Sequence, residues 1–169
     1  ENLLGEEGKG FYYLMNGLQL ERLCFMPSSI ATMEFAISES LSYMNERKAF
    51  GKSIDKLQVL RHRIAQLSSE IEALKVFSYY CCSLYDKKIY DVKLCSMGKL
   101  LCTELHEKVS TQCLQFFGGN GYTEDYPMAR MYRDSRVGTI GGGTSEIMRD
   151  IIAKIIIDGK DYEAEKSKI

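Results

Sequence analysis

The sequence predicts an all-α fold, an up-and-down four-helix bundle with one short extra helix. Three observations carry that expectation. Apolar residues recur at steps of three and four through long stretches of the chain. Nothing alternates with period two for long enough to make a strand, and the glycines gather at a few points that punctuate the pattern. At 169 residues the chain is of single-domain size and can bury a substantial core without disulfides or a structural metal.

The elements follow in order. Three glycines between residues 5 and 10 precede a helix predicted over about 11 to 47, with Ile30, Met33, Ile37, Leu41 and Met44 on one face. Pro27 lies inside this stretch and is expected to kink it or start a new turn, because proline lacks a backbone donor and crowds the preceding turn. Gly51 is the expected stop. A second helix fits residues 57 to 87, striped by Ile64, Leu67, Ile71 and Leu74. A third fits residues 91 to 117, with Asp91 as N-cap and Val92, Cys95, Cys102, Leu105, Val109 and Cys113 on one side. The short helix is expected over 127 to 134, proline standing near its first turn where it is tolerated. The last begins after Gly141-Gly142-Gly143, capped by Thr144 or Ser145, and runs to about Asp158. Short connections make neighbouring long helices antiparallel. Residues 1–10 read as a linker, 11–158 as the helical domain and 159–169 as a charged tail expected to fray.

Composition excludes several function classes. The 22 basic and 23 acidic residues nearly cancel, and no Lys or Arg stripe could track a phosphate backbone, so nucleic acid is not expected as a partner. No stretch approaches the roughly twenty apolar residues that span a bilayer. The six cysteines, at 24, 81, 82, 95, 102 and 113, sit mostly within helical apolar patterns and form no CxxC pair, so they read as reduced, largely buried thiols. Cys102 and His106 stand one helical turn apart, but two ligands without a second pair do not close a zinc site, and no metal is expected.

Three segments carry chemistry. Arg47-Lys48-Ala49-Phe50-Gly51-Lys52 alone reads as a basic helix end with a glycine cap. Gln115-Phe116-Phe117-Gly118-Gly119-Asn120-Gly121 reads as a helix end with a tight turn, though its glycines would also let phosphates approach backbone amides. Ile140-Gly141-Gly142-Gly143-Thr144-Ser145-Glu146-Ile147 places glycines before a helix whose N–H groups would favour an anion, a structural hinge being the competing reading.

All three occur in one chain, in this order, at spacings set by two intervening helices. Together with the Asn2-to-Phe11 segment, Tyr126-Pro127-Met128 and Arg133-Asp134, they make the chain resemble the C-terminal domain of the acyl-CoA dehydrogenase family from residue 1 to about 158. The resemblance implies two further domains before this one, with FAD and the acyl-CoA thioester bound between domains. It also implies a homotetramer, a dimer of dimers, in which one subunit's motifs reach its neighbour's FAD. Electrons are expected to pass to an electron-transfer flavoprotein. The location implied is the cytoplasm in a bacterium or the mitochondrial matrix in a eukaryote.

Carried over position by position, Arg47, Phe50 and Gln58 match contacts to a neighbouring subunit's FAD, and Gln115, Phe116, Phe117, Gly118 and Gly119 match a second stretch on it. Thr144, Ser145 and Glu146 match the segment closing over FAD within the subunit. Gly142 and Gly143 line the thioester site, Arg22 matches a contact to the CoA portion, and Tyr12, Gln19 and Leu20 match substrate contacts. Gln19 departs from the acidic residue common at that position.

The implied reaction is α,β-dehydrogenation: a carboxylate takes the α-proton while the β-hydrogen leaves as hydride to the flavin. In many members that carboxylate is a glutamate matching Gly142, and glycine cannot do its work. Gly17-Leu18-Gln19-Leu20-Glu21-Arg22-Leu23 is similar to the isovaleryl-CoA and long-chain members, whose base sits on the first helix of this domain, which makes Glu21 the expected catalytic base. The fragment by itself is expected to be inactive. Two alternatives stay open: a non-catalytic helical oligomerisation or interaction module, and a related flavoprotein oxidase or monooxygenase.

Overall fold

The computed structural model describes residues 2–160. In chain order it holds α1 (Gly10–Glu46), β1 (Lys48–Ala49), β2 (Lys52–Ser53), a 3-10 turn (Ile54–Lys56), α2 (Gln58–Asp86), α3 (Val92–Phe117), α4 (Gly119–Tyr122), α5 (Met128–Gly138) and α6 (Ser145–Ile156). The predicted helices are present with ends shifted by a few residues. Of the expected tail, residues 161–169 lie outside the described ones.

The bundle is organised around α3, against which α1, α2, α5 and α6 all pack. Its Cys102, Val109 and Cys113 are fully buried and meet Met26, Met33 and Met44 of α1 and Leu67 of α2 in one core. The methionines suit this seam because an unbranched side chain fills irregular gaps. Gly98 lets α1 come close: a Cβ there would stand 2.1 Å from Met26 Sδ. The short α5 is part of the core and not an appendage, since it buries Met128 and Ala129. Burial pushes the thiols of Cys81, Cys95 and Cys113 up to about 11 and that of Cys102 up to about 12, so they are protonated at neutral pH. Cys24 departs from the buried pattern and is exposed.

Local chemistry sets the ends. Asp91 caps α3 by accepting the Leu94 N–H at 2.8 Å, and Thr144 caps α6 by accepting from Ile147 at 3.3 Å. Pro27 neither ends α1 nor starts a new helix; it lies exposed within it. Gly51 does not cap α1, which ends at Glu46. With Phe50 it forms the turn of a small antiparallel hairpin, Lys48 opposite Ser53 and Ala49 opposite Lys52. Both turn residues have positive φ, 53° and 77°, the backbone that a two-residue hairpin requires. Leu41 is exposed although it was placed on the α1 stripe. At ~100° per residue it lies roughly 40° from Ile37, whereas Met44 lies roughly 20° to the other side and is buried.

His106 supplies a stability prediction. Its Nε2 is buried with no hydrogen-bond partner, and desolvation lowers its pKa below the ordinary 6.5. Between the lowered folded value and 6.5 the unfolded chain binds more protons than the folded one, so stability falls as pH drops below about 6.5. Chemical denaturation of the wild type and of His106→Leu at pH 5 and pH 7 is expected to show a smaller loss in the variant. Equal losses would remove His106 from the acid response.

Candidate active site

The loop between α5 and α6 is held from three sides. Gly142 and Gly143 have φ of +65° and +105°, and a Cβ on Gly142 would stand 2.9 Å from the Phe25 ring. Arg22, only 6% exposed, donates from Nε to the Gly142 carbonyl at 3.1 Å. Lys99, fully buried, donates from Nζ to the Gly143 carbonyl at 2.6 Å. Arg149 pairs with Glu104 and ties α6 back to α3. The loop closes on itself through Ile140 N–H and Gly141 N–H to Val137 O, at 3.0 and 2.8 Å, and Ser145 N–H to Thr139 O at 3.0 Å. The N–H groups of Gly142, Gly143 and Thr144 bond to nothing among the described residues.

Glu21 is exposed and lies one helical turn before Phe25, so the two share a face of α1. Phe25 packs over Gly142, which brings the Glu21 stretch of α1 to the glycine loop. Leu20, next to Glu21, is exposed; Tyr12 is exposed too but lies nine residues earlier, about half a turn of the helix round from Glu21. Gln19 turns elsewhere: it lines a cavity of about 10 Å³, the room of one water, with Cys81, Tyr85, Tyr90, Asp91 and Cys95, and its Oε1 has no partner.

The start of α6 is less ready for an anion than its glycines suggest. Thr144 Oγ1 takes the Ile147 N–H, and Glu146's carboxylate accepts its own backbone N–H and a bond from Thr144, which holds it below the ordinary carboxylate range. The Ser145 hydroxyl is buried without a partner.

At the far end of α1, Arg47 is exposed and makes no ion pair among the described residues, while Phe50 is 92% exposed at the hairpin tip. Gln58 opens an open groove of about 660 Å³ with His62, Arg63, Lys108 and Gln112. Tyr43 joins this end to the 118–121 turn: its hydroxyl donates to Phe117 O at 3.3 Å and accepts from Asn120 Nδ2 at 3.0 Å, and its ring stacks on Phe117 at 4.2 Å. Phe116 and Phe117 are turned into the core, leaving Gln115, Gly118 and Gly119 as the exposed members of that stretch.

The expected site residues therefore form two groups. Arg22 meets Gly142 and Gly143 at the glycine loop, with Glu21 exposed on the adjoining turn of α1; Arg47, Phe50 and Gln58 follow the end of α1 that Tyr43 ties to Phe117 and Asn120. At ~1.5 Å rise per residue, Glu21 and Arg47 are roughly 39 Å apart along α1, and the structure does not bring them together. Two residues escaped the sequence reading. Lys99 falls between Cys95 and Cys102 on the apolar stripe of α3, and a lysine at a core position was the signal that could have marked it. Tyr43 left none.

This geometry, an all-helical bundle with a glycine loop facing its first helix, has known counterparts. The family model described as "Acyl-CoA dehydrogenase, C-terminal domain" matches residues 8–157, and the chain belongs to this family. It is 43% identical over 155 residues to the mitochondrial long-chain specific acyl-CoA dehydrogenase of Rattus norvegicus, covering 92% of this chain and 36% of that protein. It is 38% identical over 157 residues to a subunit of the caffeyl-CoA reductase-Etf complex of Acetobacterium woodii, covering 93% and 41%. Among solved structures, an acyl-CoA dehydrogenase from Geobacillus kaustophilus superposes with TM-score 0.88 at 40% identity, covering 90% of this chain and 40% of that one. The chain thus spans well under half the length of these relatives. No helix among the described residues is long and apolar enough to cross a membrane.

Proposed function

We propose that this domain completes the active site of an acyl-CoA dehydrogenase, with Glu21 as the base that takes the α-proton of an acyl-CoA thioester. The observation that carries the reading is the contact between Glu21's turn of α1 and a loop that has glycine at 142, through Phe25 and Arg22. A glutamate at 142 would need a left-handed backbone and would meet the Phe25 ring, so the loop has no room for a base of its own. The N–H groups of Gly142 and Gly143 have no acceptor among the described residues and are free to face the thioester, and the exposed Leu20 adjoins Glu21 on α1.

FAD fits the donor set: Arg47, with no ion pair among the described residues, is a guanidinium suited to a pyrophosphate, and the Gln58 and Gln115 side chains and the exposed Gly119 offer amide groups near that end of α1. Thr144 and Glu146 border the loop at the other end. When bound, FAD would supply the acceptor for the β-hydrogen. The roughly 39 Å between the two residue groups exceeds the reach of one dinucleotide, which supports a homo-oligomer in which they serve different FAD molecules. The electron-transfer flavoprotein is the proposed acceptor of the electrons, in keeping with the Etf complex named for one relative.

The test is an assay of the longer chain that carries this domain against a panel of acyl-CoA thioesters with an artificial electron acceptor. Turnover of at least one thioester by a yellow protein is expected. A flavin-loaded protein inactive on the whole panel would overturn the reading.

A further inference from the structure

The two buried cations beside the glycine loop call for an explanation that packing does not supply. Lys99 is fully buried and Arg22 nearly so, and neither forms an ion pair among the described residues. Desolvation lowers the pKa of each and Arg22 lowers that of Lys99 further, opposed by the charges of Glu21 on Arg22 and of Glu104 on Lys99, neither of which is close enough to pair. A buried charge without a counter-ion opposes folding, and an apolar residue of similar volume usually serves a core at least as well. The Lys99 ammonium reaches the Gly143 carbonyl at 2.6 Å and the face of Phe25, 5.6 Å from the ring centroid. Phe25 is the residue that walls Gly142.

Peptide planarity says what such a contact does. In a trans peptide unit the C=O and the following N–H point in opposite directions. Fixing the Gly142 carbonyl on Arg22 therefore aims the Gly143 N–H away from Arg22, and fixing the Gly143 carbonyl on Lys99 aims the Thr144 N–H away from the core. Neither N–H group has an acceptor among the described residues. Two glycines with positive φ and no side chains would otherwise leave these donors free to wander.

We propose that Lys99 is a positioning residue, which by gripping the Gly143 carbonyl turns the backbone donors of the glycine loop outward, toward an oxygen of the bound ligand. Its consequence for turnover rests on the dehydrogenase reading; its effect on the loop does not. The variant Lys99→Met keeps the volume and removes the grip. By thermal denaturation it is expected to be as stable as the wild type or more so. Hydrogen exchange at the bonded amides of Ile140, Gly141 and Ser145 is expected to speed up by at least about tenfold while α3 is unchanged. In the flavin-loaded longer chain, kcat is expected to fall at least about tenfold with KM altered less than about threefold, and Lys99→Gln, which keeps a donor, should recover part of the loss. A Met variant that folds with wild-type loop exchange overturns the proposal. So does loss of folding in both variants, since the lysine would then be an element of the fold. If the wild-type longer chain turns over no thioester, the dehydrogenase reading fails while loop exchange still decides the role of Lys99.

Discussion

Glu21→Gln in the flavin-loaded longer chain is expected to lower turnover by about 10²–10⁴-fold, the usual contribution of a positioned proton acceptor, and to leave the flavin absorbance unchanged. The substitution keeps the shape of the side chain and removes only its capacity to take a proton. Glutamine and glutamate have similar helix propensities and the position is exposed, so α1 and the thermal midpoint should not change. No neighbour can take over: Gly142 has no side chain, and Arg22 and Lys99 are cations already committed to carbonyls. Stopped-flow absorbance of the bound flavin after mixing with thioester would read the step directly. Turnover within threefold of the wild type would move the base elsewhere.

The largest effect on stability is expected at the seam of α1 and α3. Met26→Ala removes a fully buried side chain and should destabilise by about 2–5 kcal/mol, the range for a core cavity of this kind. Gly98→Ala fails for the opposite reason: its Cβ would meet Met26 at Sδ, Cε and Cγ, at 2.1, 2.9 and 3.2 Å, and such overpacking costs about 1–3 kcal/mol. Because each change disturbs the same space, the double variant should be more stable than the sum of the singles predicts, by about 0.5–3 kcal/mol in a double-mutant cycle. Urea denaturation of the four proteins measures it. Simple additivity would mean that the helices separate instead of the side chains colliding.

What could be read from the residues was what local chemistry decides. Asp91 and Thr144 cap their helices as expected because an N-cap needs only the side chain and the amides that follow it. The stripes on α2 and α3 fell on the buried faces because periodicity reports a face directly. The hairpin at Phe50-Gly51 was missed because four paired residues are too few to show alternation, and its form depends on two left-handed positions, one of them a phenylalanine. The grip of Lys99 was hidden for a different reason: its acceptor lies 44 positions along the chain, and a lysine on an apolar face gives no hint of the carbonyl it will meet. The group around Glu21 was legible only through family likeness, since an exposed glutamate beside an arginine has no distinguishing pattern of its own.

The unbroken run of α1 past its proline has a consequence for inheritance of defects. If each copy of the chain lends one end of this rod to its own reaction centre and the other to a neighbour's, two crippled copies with lesions at opposite ends can together assemble an intact centre. Damage at residue 21 and damage at residue 47 would then compensate in a mixed assembly, although neither copy works among its own kind.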